Sequence, residues 1–503
     1  MTRQEAAFER ARASLDRLGL PRGLRALHAA GVGISRSVLG GSHSVAIYPP
    51  IDSLSPLDAG TILTGVDWGR QISLYVHIPF CETRCTFCHY AVDHVDVGGG
   101  GAAAGQDKVG RYLGALKREL AYWGSRLAAT GTEVSSVYIG GGTPLILGEA
   151  ALRDLMETLR ATFTIVGGAE ICIEGSPLTI TAPDGVAKLQ LLRDLGITRL
   201  SFGIQSFDDT VLKYAARGYR RDVAIEACAR VADIFENWNL DLIQGLYTGS
   251  PSETWDNLQQ VIAIRPPHIT WYHARFADRP QGHWYRMDSK FAAFEDEQAI
   301  LLGRMLIWQE LAAAGYHQVD GNRFVSARPY IDPFKKIRTS MARSLLGVGT
   351  ASYSHAGSLT PDGGARGFVL RNIADIGGYI DTVAACGSAL ATGFVMDPQE
   401  MLAASYATGL RNGRVEDDAL RRLRFECADL ARQYDALAGQ LAGLGVLEAT
   451  STDDGEAALH LTDLGRLFED ETLSLFFSPA VKRRLVGPDG QDRMRAPLGA
   501  LGG

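Results

Sequence analysis

Cys81, Cys85 and Cys88, in the segment SLYVHIPFCETRCTFCHYA, put three thiols into one short loop. Iron-sulfur clusters are held by cysteine thiolates, usually four. Three thiolates in a compact CxxxCxxC loop after an apolar strand therefore suggest a [4Fe-4S] cluster with one iron left open to another ligand. Zinc is the competing chemistry, and it wants four ligands, with His89, His77 or His94 as candidates for the fourth. Adjacent residues seldom turn their side chains to one metal, which counts against His89 beside Cys88. A set of buried thiols is the third reading. Cys172, Cys228, Cys386 and Cys427 are scattered through apolar or helical contexts and read as reduced core residues. Seven cysteines in 503 residues do not make a disulfide framework.

Other residues could work beside that loop. Gly141, Gly142 and Thr143, in YIGGGTP, follow a β-rich run directly. Glycines let a backbone approach a ligand closely, although a tight turn is the plain alternative. Glu174 is a carboxylate in the apolar run AEICIEGSP. An unpaired charge there would be costly, so it needs either a structural arginine or the cationic group of a ligand. Gln205 ends RLSFGIQSF and Asp241 sits in LDLIQGL, where polar side chains can bind hydroxyls. Arg217, in KYAARGY, can pair with a carboxylate. Lys335, Lys336 and Arg338 could hold a substrate carboxylate or form a solvated charged face.

The elements that must position these residues follow from hydrophobic periodicity. Six short β-rich runs begin at Ser73, Ser135, Ala169, Arg199, Leu240 and His268. Helical patterns lie between them; Leu113, Leu116, Leu120, Trp123 and Leu127 fall on one helical face. Alternating strands and helices predict βα units and a parallel sheet with right-handed crossovers, in an open or partial barrel. In such barrels the loops after the strands' C-terminal ends build the active site, and the cysteine loop has that position after the first strand. The insert VGGGGAAAGQ from Val97 reads as a flexible loop. The stretch from 280 to 395 is less regular and is expected to extend or close the barrel. From about Asp397 the pattern is helical, followed by a hairpin through VLEAT and ALHLT and a final helix, a winged-helix-like arrangement read as a structural cap. The expected organisation is a lead-in over 1–70, the barrel over 71–280, its extension over 281–395, a C-terminal domain over 396–485 and a loose tail over 486–503.

Composition sets the remaining bounds. Hydrophobic residues make up 46% and mean hydropathy is -0.01, with no apolar run near the ~18 residues a membrane span needs. The opening MTRQEAAFERARASLDRLGL reads as an amphipathic helix without a signal-peptide core, so a cytoplasmic location and no membrane partner are expected. A net charge of -7 offers no electrostatic footprint for nucleic acid.

In order along the chain, YVHIPFCETRCTFC, YIGGGTP, IEGSP, RLSFGIQSFDDTVLKYAARGY, DLIQGL, SLLGVGTASYSH and the final GVLEA and LSLFF resemble one family. It is the oxygen-independent coproporphyrinogen III oxidase-like (HemN-like) branch of the radical SAM superfamily, and the resemblance covers roughly residues 45 to 480. It implies an α/β fold, a partial (β/α)6 radical SAM barrel with a C-terminal helical, winged-helix-like domain. It implies a [4Fe-4S] cluster on Cys81, Cys85 and Cys88, whose open iron chelates S-adenosyl-L-methionine (SAM). Gly141, Gly142 and Thr143 would then meet the cofactor amino group, Glu174 its ammonium end, Gln205 and Asp241 the ribose, and Arg217 the methionine carboxylate. Tyr75 would sit near the cluster and the sulfonium, with a packed strand aromatic as an equally good reading. A small-molecule substrate and a flavodoxin- or ferredoxin-type electron donor complete the expectation.

Branch membership leaves the reaction open. Coproporphyrinogen enzymes of the branch commonly carry another cysteine soon after the cluster motif, where this chain reads CHYAVD. Its haem chaperones carry HNxxYW before the LGVG-like turn, where this chain has DPFKKIRTSMARSLLGVG. These departures favour C-methylation or cyclopropanation of a small molecule with a second SAM as methyl donor. Oxidative decarboxylation of coproporphyrinogen III is the alternative, and non-enzymatic haem binding the third reading.

Overall fold

The computed structural model describes residues 1–34, 47–57, 66–88, 90–96, 102–247, 250–274, 297–327, 344–358, 366–452 and 455–485. His89, Val97 to Gly100, the run through Lys335, Lys336 and Arg338, and the tail over 486–503 lie outside the described residues.

After an N-terminal helix, α1 (Arg3–Arg17), the central sheet begins with β1 (Gln71–Ile78). It continues through α2 (Ala102–Thr130), β2 (Glu133–Gly141), α3 (Glu149–Thr162), β3 (Ile165–Gly175), α4 (Gly185–Asp194) and β4 (Arg199–Gln205). Then come α5 (Arg221–Ala232), β5 (Trp238–Gln244), α6 (Pro251–Ile264), β6 (His268–His273) and α7 (Glu297–Ala313). Strands β1 to β6 pair in sequence order and all are parallel.

The sheet does not stop at six strands. β7 (Ser344–Val348) pairs parallel with β1, so a seventh parallel strand stands on the far side of the first. From β7 the sheet runs antiparallel through β8 (Tyr353–Ser358), β9 (Arg366–Asn372) and, beyond α8 (Ile376–Cys386), β10 (Leu390–Met396). Ser55–Pro56 pairs with β10, and Arg323–Val325 and His317–Gln318 add to the β6 edge, making 13 strands among the described residues. The partial six-strand barrel is thus the central part of a wider sheet: the lead-in contributes an edge, and residues beyond 281 add strands at both ends.

β1 illustrates why the sheet has two different faces. Successive strand residues point to opposite sides, so Ile72, Leu74, Val76 and Ile78 bury against the helices. Each such aliphatic burial contributes roughly 1.5–3 kcal/mol. Ser73, Tyr75 and His77 take the inner face. Tyr75 stacks on Tyr138 of β2 with ring centroids 6.2 Å apart, and both pack with Cys172 and Leu345. On the outer face α2 buries Leu116, Leu120, Trp123 and Leu127, with Trp123 edge-on to Trp68.

Residues 97–101 of the glycine and alanine insert lie outside the described residues, and the part from Ala102 is helical rather than the flexible loop expected of it. α2 starts at Ala102, so its alanines form the first helical turn. Alanine is the best helix former, so the run of alanines can begin a helix.

The C-terminal region has α9 (Pro398–Ala407), the strand β11 (Arg414–Val415), α10 (Asp418–Glu426), α11 (Ala428–Gly443), and a hairpin of β12 (Leu447–Ser451) and β13 (Ala457–Leu461). β13 pairs with both β11 and β12. Among the described residues no helix is long and apolar enough to cross a membrane.

Candidate functional site

Beyond β1 the chain passes Pro79 into a two-residue strand, Phe80–Cys81, which pairs with Asp93–His94 and closes the cysteine loop at its base. The loop is tethered on two sides. Thr86 donates its backbone N–H to the Ala215 carbonyl at 3.2 Å and its hydroxyl to the Tyr214 carbonyl at 3.1 Å. The Thr143 hydroxyl lies 3.6 Å from Cys81 Sγ, and Arg217 Nη1 lies 2.9 Å from Cys85 Sγ. All three thiols are free and half-buried. Burial pushes the Cys81 thiol up to about 12 and raises that of Cys88. A bound metal deprotonates such a thiol outright.

The turn after β2 is stitched to this loop. Gly141 donates its N–H to Glu174 Oε2 at 3.0 Å, Gly142 to the Ile78 carbonyl at 2.9 Å and Thr143 to the Phe80 carbonyl at 2.7 Å. An amino group donates, so the groups of this turn that could receive it are oxygens, backbone carbonyls and the Glu174 carboxylate among them. Gly141 has φ +116, in the region that favours glycine, and a Cβ there would lie 2.5 Å from the His77 ring. A Cβ on Gly142 would lie 2.4 Å from the Phe80 carbonyl oxygen. Gly142→Ala is expected to cost about 1–3 kcal/mol, the usual penalty of overpacking; an unchanged denaturant midpoint would show that the turn yields.

Glu174, at the end of β3, accepts from the Tyr138 hydroxyl at 2.6 Å as well as from Gly141. These two contacts hold the carboxylate between the inner sheet face and the glycine turn. Gln205 ends β4 with φ +75, which is strained for a residue with a side chain. It is 9% exposed, and among the described residues its buried Oε1 has no partner. Asp241 accepts from Asn239 Nδ2 at 2.7 Å, and Asn239 also meets Ser201 and Thr270 across the inner face. Arg217 reaches three groups at once: Cys85, the Tyr219 hydroxyl at 3.0 Å and the Gly203 carbonyl.

Cys81, Gly141, Gly142, Thr143 and Glu174 therefore form one group, and Cys85, Arg217 and the Gly203–Gln205 segment another, joined through the cysteine loop. Asp241 is in register with Gly203 on the neighbouring strand. Two departures stand out. Thr143 turns its hydroxyl toward a thiol, and Arg217 already has a thiol and a carbonyl as partners.

Tyr75 is tied in through a residue outside the expected set. His77 Nε2 is 3.1 Å from the Ala91 carbonyl and Nδ1 is 3.0 Å from the Tyr75 hydroxyl. A carbonyl only accepts, so Nε2 carries the proton and Nδ1 accepts from Tyr75. Burial lowers the His77 pKa to about 4, keeping the ring neutral. Both nitrogens are committed to hydrogen bonds, which counts against His77 as a zinc ligand. Tyr138 and Tyr219 were also missed; period-2 alternation puts Tyr138 on the face of Gly140, whereas Tyr219 had no local signal.

Residues 75–263 match the profile of the radical SAM superfamily. The chain carries a radical SAM domain. The oxygen-independent coproporphyrinogen III oxidase of Bradyrhizobium diazoefficiens is 27% identical over 378 residues, covering 71% of this chain and 77% of that protein. The haem chaperone HemW of Escherichia coli is 29% identical over 300 residues, 58% of this chain and 71% of that one. The fold matches that of the E. coli coproporphyrinogen III oxidase HemN with a TM-score of 0.68 at 24% identity, over 87% of this chain and 97% of HemN. Radical SAM domains work with a [4Fe-4S] cluster and SAM, and the site fits both: a tethered loop of free thiols, a glycine turn without room for a side chain, and an unpartnered buried amide oxygen at Gln205. Among the described residues no three His, Cys, Asp or Glu side chains gather around a single ion position, as a zinc site would require.

Proposed function

We propose that this radical SAM protein catalyses oxidative decarboxylation of a propionate-bearing porphyrinogen, with coproporphyrinogen III as the reference substrate. The observation that carries the reading is similarity to a coproporphyrinogen III oxidase over 378 residues, well beyond the 75–263 radical SAM segment. The C-methylation or cyclopropanation favoured by the sequence finds less support, because the long-range relatives are oxidases and haem chaperones.

When bound, the cluster and SAM supply one-electron chemistry able to remove a hydrogen atom from an unactivated carbon. In this reading Cys81, Cys85 and Cys88 hold the cluster, and Arg217 fixes Cys85 while its charge favours anionic groups beside it. Gly141, Gly142 and Thr143, with Glu174 bonded to the Gly141 N–H, would hold the SAM amino group. Gln205 and Asp241 would hold the ribose, whose hydroxyls could satisfy the idle Gln205 oxygen. Tyr75, held by His77, would pack against the cofactor and help to exclude water. A flavodoxin- or ferredoxin-type protein is the expected reductant.

The test is an anaerobic reaction of reconstituted protein with reductant, SAM and coproporphyrinogen III, read by mass spectrometry. Loss of carboxyl mass with formation of 5'-deoxyadenosine is the expected result. Unchanged porphyrinogen beside 5'-deoxyadenosine would overturn it. A haem-chaperone role has support in the Bacillus subtilis HemW, 25% identical over 98% of its length. That reading predicts stoichiometric haem binding with no porphyrinogen turnover, but the HNxxYW motif of those chaperones is missing from the segment before β7.

A further inference from the structure

The inner face that carries Tyr75 continues across β7 onto β8 and β9. Leu345 is opposite both Ser73 and His355, His355 is opposite Val369, and Tyr353 is opposite Arg371. Directly opposed residues share a face and so do alternate residues along a strand, so Tyr75, Leu345, His355, Tyr353 and Arg371 lie on one continuous surface. Leu345 links it to the site by packing with Tyr75, Tyr138 and Cys172. Arg371 stands diagonally across from His355, a separation of about 7–8 Å that long side chains can span.

This surface holds polar groups that the protein leaves idle. His355 is 1% exposed, and among the described residues neither ring nitrogen has a hydrogen-bond partner. Arg371 is half-buried; its buried Nε likewise has no partner, and its guanidinium lies 5.5 Å from the centre of the Tyr353 ring. Buried polar atoms in folded proteins are nearly always bonded. An imidazole with both nitrogens idle therefore points to a partner outside the chain. A histidine kept neutral by burial retains one N–H donor, while the arginine supplies a permanent charge and a planar fork suited to a carboxylate.

We propose that Arg371 and His355 form a carboxylate subsite on the inner sheet face, Arg371 taking the anion in its guanidinium fork and His355 donating one N–H to it. Tyr353, between them and the Tyr75 floor, supplies an aromatic wall for the flat body of the same ligand. The subsite would anchor one carboxylate while another part of the molecule is presented above Tyr75. The identification of that carboxylate as a propionate rests on the porphyrinogen reading; the anion site itself does not.

The test uses cluster-loaded protein under anaerobic conditions and two probes. Calorimetry measures 3-phenylpropionate against its methyl ester, and fluorescence measures coproporphyrin III. The acid should bind at least tenfold more tightly than the ester. Arg371→Met and His355→Asn should each weaken the acid at least tenfold and leave the ester unchanged, while Arg371→Lys, which keeps the charge but loses the fork, should show a smaller loss. Melting curves confirm that each variant is folded. Equal affinity for acid and ester, no binding of the acid, or an acid affinity indifferent to these substitutions would overturn the subsite. Phenylpropionate binding that depends on both residues, without coproporphyrin III binding, would keep the subsite and remove the porphyrinogen reading. Coproporphyrinogen turnover indifferent to the variants, with phenylpropionate binding equally indifferent, would do the reverse.

Discussion

Cys85→Ala is expected to purify colourless after iron and sulfide reconstitution and to form no 5'-deoxyadenosine, whereas the wild-type protein turns brown. Three thiolates are already one fewer than an ordinary cluster uses, so losing one leaves two protein ligands. Cys85 is also the thiol met by Arg217 Nη1 at 2.9 Å. Its removal strips a buried guanidinium of one partner and loosens the tie between the cysteine loop and the segment after β4. Arg217→Met separates the two effects: it should retain the colour while weakening SAM binding, because the loop keeps its thiols and its Thr86 tethers. Iron and sulfide in Cys85→Ala equal to wild type would contradict the assignment of that residue.

The second large effect is expected far from any cofactor. Glu119, on α2, is 0% exposed and accepts from the Gly349 N–H at 2.7 Å, Asn372 Nδ2 at 2.8 Å and the Tyr379 hydroxyl at 2.8 Å. Two turns earlier, Tyr112 donates to the His77 carbonyl at 2.7 Å and accepts the Thr350 N–H at 3.1 Å. α2 thus clamps the turn after β7 to the end of β1, from which the cysteine loop springs. Glu119→Ala leaves the Gly349 N–H and the Tyr379 hydroxyl without this acceptor, while Asn372 Nδ2 keeps its bond to the Gly349 carbonyl; with buried unpaired groups costing about 1–3 kcal/mol each, a loss on the order of 3 kcal/mol is expected, with reduced cluster retention.

A pH series adds a sign to this prediction. Burial is the main cause that raises the Glu119 pKa, against the bonds from Gly349, Tyr379 and Asn372 that lower it. The folded state then holds the proton longer than the unfolded state does. The associated stability is present below the unfolded carboxyl pKa and is lost as pH rises through the folded one. Glu119→Gln should flatten that part of the stability profile; an unchanged profile would mean that Glu119 does not titrate as its burial implies.

The six parallel strands were legible because each is a short apolar run whose alternate residues could be sorted by face, with a helical stripe such as Leu116, Leu120 and Trp123 between two of them. The pairing of β7 with β1 was not legible. SLLGV is only an apolar run, and its register against residues some 270 positions earlier is set by the curvature of the whole sheet. The cysteine loop and the glycine turn could be read as neighbours because both follow adjacent strands. The bond from Arg217 to Cys85 could not, since it joins loops 132 residues apart. Glu174 was recognised as needing a partner, but cross-strand geometry decided that Tyr138 and a backbone N–H would serve. The helix from Ala102 was misread because glycine richness outweighed alanine propensity. His355 had no readable role, because the idleness of its two nitrogens is a property of the packed inner face alone.

All of the proposed chemistry begins with SAM meeting a cluster carried by the cysteine loop. The most direct measurement is electron paramagnetic resonance of the dithionite-reduced, reconstituted protein with and without SAM. A reduced [4Fe-4S] signal whose g-values change on adding SAM, and which is absent in Cys85→Ala, is the predicted result. A signal indifferent to SAM, or one that survives loss of the thiol, would contradict it.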